Sequence, residues 1–267
     1  MELNTWSKIS DHDYHNLDLI SFHGLMQCMK SYNHYLDSLA NRVETPAMRF
    51  GTLAHMMALE PLKFKDLVRM APSFDRRTTK GKADYEAFNR LNEGLPLIYI
   101  SQDDYDRLKG MRAKLDELMD NPELSWIFSR AVRIEEALTF ELYKDPYVIA
   151  KMKPDIVGDN FILDYKTTQD AWLWGFEKIS RRYYYDLQLY FYQMGDFKVS
   201  GENKNLFILA QESESPYEFQ LYRLPKHGAN EVHEMIDVAF EKYLLGINGT
   251  QPGYPRKVLD LNIQRGF

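Results

Sequence analysis

The sequence predicts an α/β (α+β) fold, with a central mixed β-sheet flanked by helices and preceded by a helical N-terminal elaboration. Apolar side chains recur at helical intervals over much of the first half of the chain. The middle is rich in β-branched and aromatic residues between turn signals, a pattern that is typical of strands. A helix, two strands and a final helix are predicted to follow. This order of elements indicates one layered core of sheet and helices.

The first half is predicted to be mainly helical. One apolar stretch ends at Glu60-Pro61, which is a helix stop signal. Residues 71–82 lack periodicity and are predicted to form a loop. The predicted helices cover 21–41, 47–59, 83–92 and 102–119.

The middle of the chain is predicted to form an antiparallel meander of three strands, over 132–143, 147–157 and 160–166. Asp145-Pro146 and the run 158–160 supply the turn signals between them. The remaining predicted elements are a helix at about 170–197, strands at 205–212 and 217–224, and a helix at about 228–246.

The chain of 267 residues has no internal repeat or long linker, and a single domain is the simplest interpretation. Within it we distinguish a mainly helical region (1–130), a sheet region with the following helix (131–225), and a C-terminal helix and tail (226–267).

The bulk composition excludes several classes of protein. A formal net charge of −6 argues against a uniformly basic DNA-coating protein. A DNA enzyme is still compatible with this charge, because local basic patches matter more than the total. The single cysteine, Cys28, excludes an intrachain disulfide, a zinc knuckle and a four-cysteine iron–sulfur cluster. With no signal-peptide core and no apolar run of about 20 residues, we expect a soluble protein of the cytoplasm, with no membrane partner.

Two carboxylates and a lysine form the sharpest local feature. Asp155 follows Pro154 at the end of one predicted strand, and Asp164 and Lys166 stand two residues apart on the next. Residues two apart on a strand point to the same face, and the tight turn between the strands brings the three side chains together. Strand residues of these types also commonly face solvent, but here they interrupt an otherwise apolar run.

This combination suits phosphodiester hydrolysis. Carboxylate oxygens bind Mg²⁺ or Mn²⁺, which act as Lewis acids and lower the pKa of bound water. A lysine beside the metal can orient or deprotonate the attacking water and offset negative charge. Asp155, Asp164 and Lys166 are therefore the candidate catalytic residues.

Further candidates lie upstream of this group. His55 follows Gly51-Thr52 on a predicted helix, and it is interpreted either as an additional metal ligand or as a structural histidine. Of the neighbouring Glu135 and Glu136, one alone can face the metal, because adjacent strand residues point to opposite faces. We favour Glu136.

Downstream, Gln188 and Tyr192 share one helix face at a spacing of four residues. They are interpreted as a pair that contacts a phosphate or a base, or that holds the lysine in place, or else as core residues. Two clusters of basic residues, at 76–82 and 181–182, are interpreted either as contacts to DNA phosphates or as solvated surface. The candidate DNA-binding residues are Arg76, Arg77, Thr78, Lys80, Lys82, Arg181 and Arg182.

Taken together, these residues resemble the RecB-like branch of the PD-(D/E)xK nucleases. The ordered set comprises Gly51-Thr52-x-x-His55, a strand glutamate, Pro154-Asp155, Asp164-Tyr165-Lys166-Thr167-Thr168 and Gln188-x-x-x-Tyr192. Within that branch the chain looks closest to the RecE (exonuclease VIII) type of phage and prophage exonucleases. The stretches TPAMRFGTLAHMMALEP, DRRTTKGKADYEAF and DYKTTQDA, and the closing Pro252-Gly253-Tyr254, contribute to this likeness, which runs from about residue 12 to 255.

The resemblance implies a Mg²⁺-dependent, processive 5′→3′ exonuclease on linear double-stranded DNA that leaves a 3′ overhang, with two metal ions in the site. It implies a RecT-type single-strand annealing protein as partner and a ring-like homo-oligomer, a tetramer in the RecE case. His55, Asp155, Asp164 and the Tyr165 carbonyl would be metal ligands, Lys166 the catalytic lysine, and Gln188 and Tyr192 the adjoining helix motif. The long N-terminal extension of RecE has no counterpart in this sequence.

Other interpretations remain. A Cas4-like or AddB-like enzyme needs several cysteines, which this chain lacks. An endonuclease, such as a restriction enzyme, would use the same chemistry on internal sites. A DNA-binding protein that has kept the fold and lost activity belongs to a different class, against which the intact carboxylate–lysine set argues.

Overall fold

The computed structural model describes residues 2–41, 43–226, 229–250 and 253–254, and it omits the side chains of 229–231. Pro252, part of the closing motif, lies outside the described residues. The helices are α1 (Asp11–Asn16), α2 (Phe22–Lys30), α3 (Tyr32–Ala40), α4 (Pro46–Leu59), α5 (Pro61–Leu67), α6 (Thr79–Asn92), α7 (Gln102–Asp120), α8 (Trp126–Ser129), α9 (Leu173–Tyr183), α10 (Tyr185–Ser200) and α11 (Ala229–Ile247).

The strands belong to three sheets. They are β1 (Trp6–Ser7), β2 (Ile20–Ser21), β3 (Val68–Met70), β4 (Ile98–Ile100), β5 (Ala131–Ile134), β6 (Ala137–Lys144), β7 (Tyr147–Met152), β8 (Ile156–Gly158), β9 (Phe161–Thr168), β10 (Asn205–Glu212) and β11 (Phe219–Arg223). A five-stranded sheet has the order β11-β10-β9-β8-β5, a four-stranded sheet has the order β1-β6-β7-β2, and β3 pairs with β4.

The five-stranded sheet is mixed, because β9 and β10 are parallel while its other neighbours are antiparallel. Helices pack on both of its faces. The predicted fold class, a mixed sheet flanked by helices, is therefore confirmed. The mainly helical N-terminal region also contributes four short strands, β1 to β4, which the sequence did not predict.

The predicted three-strand meander is wrong in its connections. The first two predicted strands each divide between two sheets: β5 and β8 join the five-stranded sheet, while β6 and β7 form an antiparallel pair in the four-stranded sheet. The chain changes sheet at Glu135, where the backbone φ of 53° is left-handed, and again around Pro154. A continuous strand-like pattern does not reveal a change of partner strand, which is why the sequence did not show these two breaks.

Two predicted helices are also divided. Ser31 separates α2 from α3; its extended backbone ends the first helix, and its side chain accepts a hydrogen bond from the His34 N–H at the start of the second. Tyr184, with a left-handed φ of 58°, separates α9 from α10. The predicted loop is shorter than expected, since the Thr78 hydroxyl accepts from the Gly81 N–H at 2.9 Å and starts α6 at Thr79.

The apolar core lies on both faces of the five-stranded sheet. On β9, Ile162 belongs to a cluster with Phe140 and Phe191, while Leu163 belongs to a second cluster with Leu115. This alternation follows the two-residue repeat of a strand and buries β9 from both sides. Each such aliphatic side chain contributes about 1.5–3 kcal/mol when fully buried. The strand that carries Asp164 and Lys166 is thus held rigidly in the centre of the protein.

In the part of the chain that the structure describes, no helix combines the length and apolar character needed to cross a membrane.

Candidate active site

The β8–β9 hairpin positions the two candidate aspartates. Ile156 pairs with Leu163 across the hairpin, so Asp155 and Asp164 occupy the next positions along the two strands. Both residues are buried, with 7% and 2% of their surface exposed. The tight turn requires glycine at Gly158, because a Cβ there would lie 2.0 Å from the Phe161 ring. The structure therefore places the two carboxylates side by side at neighbouring positions of the hairpin.

His55 approaches the hairpin from the middle of α4. Its Nδ1 lies 3.4 Å from Asp155 Oδ1 and 4.0 Å from Glu135 Oε1. One ligand atom from each of these three residues falls within 4.8 Å of the others. Gly51, one turn earlier on α4, permits this approach, since even a Cβ there would lie 3.3 Å from Thr167 Oγ1 on β9. We call His55, Glu135, Asp155 and Asp164 the carboxylate–histidine cluster.

The structure places Glu135 in this cluster and turns Glu136 away, contrary to our preference for Glu136. Glu136 instead accepts from Arg133 at 2.9 Å. The reason is the left-handed backbone at Glu135, whose φ is 53°. This conformation ends β5, so the simple alternation of strand side chains no longer decides which glutamate faces the site.

A buried lysine holds Glu135 in place. Lys153 Nζ lies 2.9 Å from Glu135 Oε2 and 2.5 Å from Asp11 Oδ1, at the start of α1. Burial lowers the pKa of Lys153, but the carboxylates of Glu135 and Asp11 outweigh that effect and raise it. Sequence reasoning missed this residue, although a lysine directly before Pro154-Asp155 was a usable signal.

Tyr165 contributes through its backbone and its ring. Its N–H donates to Asp155 Oδ2 at 2.5 Å, which fixes the orientation of that carboxylate. Its hydroxyl donates to Gln211 Oε1 at 2.5 Å in the core, and its ring centre lies 5.0 Å from that of His55. The predicted role of its carbonyl as a metal ligand remains a prediction.

Lys166 joins the cluster to α10. Its Nζ lies 2.6 Å from Asp164 Oδ2 and donates to Gln188 Oε1 at 3.1 Å. The Gln188 amide in turn donates to the Tyr192 hydroxyl at 2.6 Å. The Tyr185 ring centre lies 4.7 Å from Nζ, which adds a cation–π contact. The structure therefore brings Gln188 and Tyr192 together beside the lysine, on one face of α10.

The protonation of the cluster reflects its buried charges. Burial raises the pKa of Asp164 to about 6, although Lys166 opposes this rise. For Asp155 burial acts in the same direction, but His55, Lys166 and the Tyr165 N–H outweigh it and lower the pKa. Burial lowers the pKa of His55, and the carboxylates of Asp155 and Glu135 reverse this and raise it. The buried carboxylates thus stabilise positive charge on the groups that they surround, such as His55 and Lys166.

The donor set fits a divalent cation. It offers one imidazole nitrogen and the oxygens of three carboxylates, which are ligands for Mg²⁺ or Mn²⁺. Asp164 Oδ2 is buried and has no well-aligned hydrogen bond, although the Lys166 ammonium lies close to it. A buried carboxylate oxygen in this state is a natural ligand, because a cation offsets the cost of burying its charge.

The predicted phosphate-contacting residues lie on two separate elements. The first group surrounds the start of α6: Arg76 packs over Tyr85, Arg77 lies 3.3 Å from Asp75, Thr78 caps the helix, and Lys80 and Lys82 are exposed on its first turn. The second group lies on α9.

On α9, Arg181 lies 2.5 Å from Glu177 and Arg182 packs over Tyr183. Near the first group, a cavity of about 690 Å³ includes Arg76 and Thr52 in its lining, and Thr52 precedes His55 by about one turn of α4. Contact of either group with a phosphate remains a prediction.

A mixed sheet that carries two aspartates and a lysine on adjacent strands, with an upstream histidine, defines a centre of the PD-(D/E)xK type. The comparisons agree with this class. The chain belongs to the family described as a PDDEXK-like domain of unknown function (DUF3799), whose model matches residues 21–253. The PD-(D/E)xK superfamily is thereby established, but not the RecE type in particular.

A solved structure from Eubacterium rectale, described as a "Putative exonuclease", has the same fold. Its TM-score against this chain is 0.62 at 14% sequence identity, and 97% of each chain is covered. No curated protein matches the chain. The family and the fold together support a nuclease.

Proposed function

We propose that the protein is a metal-dependent exodeoxyribonuclease that degrades linear double-stranded DNA. The observation that carries this proposal is the convergence of Asp155, Asp164 and Lys166 on one buried volume beside His55 and Glu135. The structural neighbour described as an exonuclease supports the choice of an exonuclease over an endonuclease.

His55, Glu135, Asp155 and Asp164 would hold the metal, which we propose to be Mg²⁺, with Mn²⁺ as a substitute and two ions per site. When bound, the metal supplies Lewis acidity toward the phosphate and lowers the pKa of a water ligand. Lys153 keeps the Glu135 carboxylate oriented, and the Tyr165 N–H does the same for Asp155.

Lys166 lies where a side chain could orient the water that attacks the phosphate. Its pKa is raised because Asp164 and Asp155 outweigh the effect of burial, so it is an ammonium at neutral pH. In that form it orients the water by donating a hydrogen bond and offsets the negative charge that develops on the phosphate. Gln188 and Tyr192 fix the ammonium through a continuous hydrogen-bonded chain.

We further propose 5′→3′ polarity, a 3′ single-stranded overhang as product, and a RecT-type single-strand annealing protein as the partner that receives it. A ring-like homo-oligomer, a tetramer as in the RecE case, would enclose the duplex and make degradation processive. These four features rest on the resemblance of the motifs to RecE-type enzymes.

An end-labelling experiment tests this proposal. Linear duplexes carry a label at one end and a blocked 5′ or 3′ terminus, and closed circular DNA serves as the endonuclease control. The proposal expects loss of the 5′ label first, no degradation from a blocked 5′ end and intact circles. Cutting of the circles would replace the exonuclease with an endonuclease, and degradation from the 3′ end would overturn the polarity.

A further inference from the structure

Helix α9 exposes large aromatic side chains at its start. Trp172, which precedes the helix, is 67% exposed; Leu173 is 50% exposed and Trp174 is 71% exposed. Single exposed apolar residues are common on protein surfaces, whereas contiguous ones mark interaction sites. Three consecutive large apolar side chains exposed to solvent therefore indicate a binding site.

The same surface of α9 is basic. Trp174, Lys178 and Arg181 follow a spacing of four and three residues, which places them on one helix face. With Glu177 they line a depression of about 420 Å³. Glu177 neutralises part of this charge by its ion pair with Arg181, 2.5 Å away, and the exposed Arg182 adds a further cation beside it. This face thus combines the Trp174 indole with an excess of positive charge, and the Trp172 indole is exposed at the N-terminal end of the same helix.

The start of α9 is fixed to the end of β9. The Thr168 hydroxyl donates to the Asp170 carbonyl at 3.1 Å, and the Trp172 N–H donates to the Asp170 carboxylate at 2.8 Å. Gly175 packs on this carboxylate so closely that a Cβ would lie 1.8 Å from its Oδ2. The exposed indoles therefore stand on a rigid support, directly after the strand that carries Lys166.

The first residue of α10, which follows α9 after Tyr184, contacts Lys166. Beyond the left-handed Tyr184, the ring of Tyr185 lies 4.7 Å from Lys166 Nζ. Within α9, Phe176 stacks on Tyr222 of β11 with ring centres 5.2 Å apart. Tyr222 pairs with Ile208 of β10, and Ile208 pairs with Asp164 of β9, so α9 packs on the sheet face that carries Asp164 and Lys166.

We propose that α9 binds an unpaired DNA strand next to the nuclease site. Trp172 and Trp174 stack on its bases, and Lys178, Arg181 and Arg182 contact its phosphates. Aromatic platforms combined with a basic surface bind single strands because every base offers a ring face, whereas pairing and stacking hide these faces in a duplex. This proposal deepens the proposed function, on which it rests, by assigning a separate site to the unpaired strand.

Fluorescence anisotropy of the 267-residue protein in EDTA tests the proposal without cleavage. The probe is a labelled oligothymidylate of about 20 nucleotides, and a blunt duplex of equal length is the comparison. Stacking contributes about 1–3 kcal/mol per base, so Trp172→Ala and Trp174→Ala should each weaken oligothymidylate binding at least about five-fold. Binding of the blunt duplex should change less.

Three variants serve as matched controls. Trp174→Phe keeps an aromatic face and should retain most of the affinity. Glu177→Gln should strengthen binding, because it releases Arg181 and removes a negative charge from the surface. Tyr147→Ala removes another exposed aromatic ring, 58% exposed, from the four-stranded sheet and should leave the affinity unchanged.

A second measurement needs no variant. The chain has four tryptophans, and stacking on bases should quench the fluorescence of the two exposed indoles when oligothymidylate is added.

Unchanged affinity in both tryptophan variants, or no quenching in the wild-type protein, would overturn the proposal. So would a change of oligomeric mass in the variants, which would assign α9 to contact with a second copy. Nucleotide release from duplex with Mg²⁺ tests the proposed function independently, so failure of either proposal is distinguishable.

Discussion

The Lys166 ammonium donates a hydrogen bond to the Gln188 side-chain carbonyl, 3.1 Å away, and this bond links β9 to α10. A hydrogen bond to a charged group contributes about 1.5–3 kcal/mol. We therefore expect Gln188→Ala to lower kcat for nucleotide release by about 10- to 100-fold, with little change in KM, because the lysine loses its orientation.

Steady-state kinetics on linear duplex measures this effect. Gln193→Ala is the control, since Gln193 also lies on α10 but donates to the Lys204 carbonyl, away from the cluster. Equal kinetics for Gln188→Ala and wild type would remove the lysine–glutamine bond from the mechanism.

Substitutions of the two adjacent glutamates are expected to differ in their effect on metal binding. Glu135→Gln should weaken Mn²⁺ or Mg²⁺ binding by about ten-fold or more, because it removes a charged oxygen from the carboxylate–histidine cluster. Glu136→Gln is the matched control and should bind as wild type does, since Glu136 pairs with Arg133. Isothermal titration calorimetry decides between them. Weaker binding in Glu136→Gln alone would return the ligand role to Glu136.

The basic group at the start of α6 should contribute to DNA affinity through phosphate contacts. Each phosphate contact adds about 0.9 to the slope of log affinity against log salt concentration. We expect the double variant Arg76→Glu, Arg77→Glu to reduce this slope by about one to two and to weaken binding at low salt. The charge-matched control is Lys144→Glu, Lys198→Glu, at two exposed lysines on other elements. Equal slopes for both double variants would show that the α6 group makes no phosphate contacts and is solvated surface.

The single cysteine reports on the integrity of the core. Cys28 is fully buried, and burial raises the pKa of its thiol to about 12. Since the thiolate is the reactive species, only about one thiol in ten thousand is ionised at pH 8. We expect no reaction with a thiol-specific disulfide reagent in the folded protein and rapid reaction after addition of guanidinium. Fast labelling under native conditions would contradict the packing of α2 against the core.

Part of the site was predictable because strand geometry dictates it. The convergence of Asp155, Asp164 and Lys166 follows from two-residue alternation and a tight turn. These rules hold for any arrangement of the neighbouring strands. The spacing of Gln188 and Tyr192 is dictated in the same way by the helix repeat. The mixed sheet and most element positions also follow from local patterns.

The remaining features depend on tertiary contacts or on single backbone angles. The left-handed Glu135 reverses the expected choice between two glutamates, and nothing in the residue type indicates this. The breaks at Ser31 and Tyr184 interrupt apolar patterns that continue at helical spacing on either side. Lys153 gains its role only because α1 and β5 bring Asp11 and Glu135 to it.

We propose that the carboxylate–histidine cluster and Lys166 together hydrolyse DNA with a divalent metal. The most direct test measures release of acid-soluble nucleotides from uniformly labelled linear duplex by wild type and by Lys166→Ala, in Mg²⁺ and in EDTA. We predict release by wild type in Mg²⁺ alone and a loss of at least about 100-fold in Lys166→Ala, with DNA binding retained. Release in EDTA would exclude metal dependence, and wild-type turnover by Lys166→Ala would exclude Lys166 from catalysis.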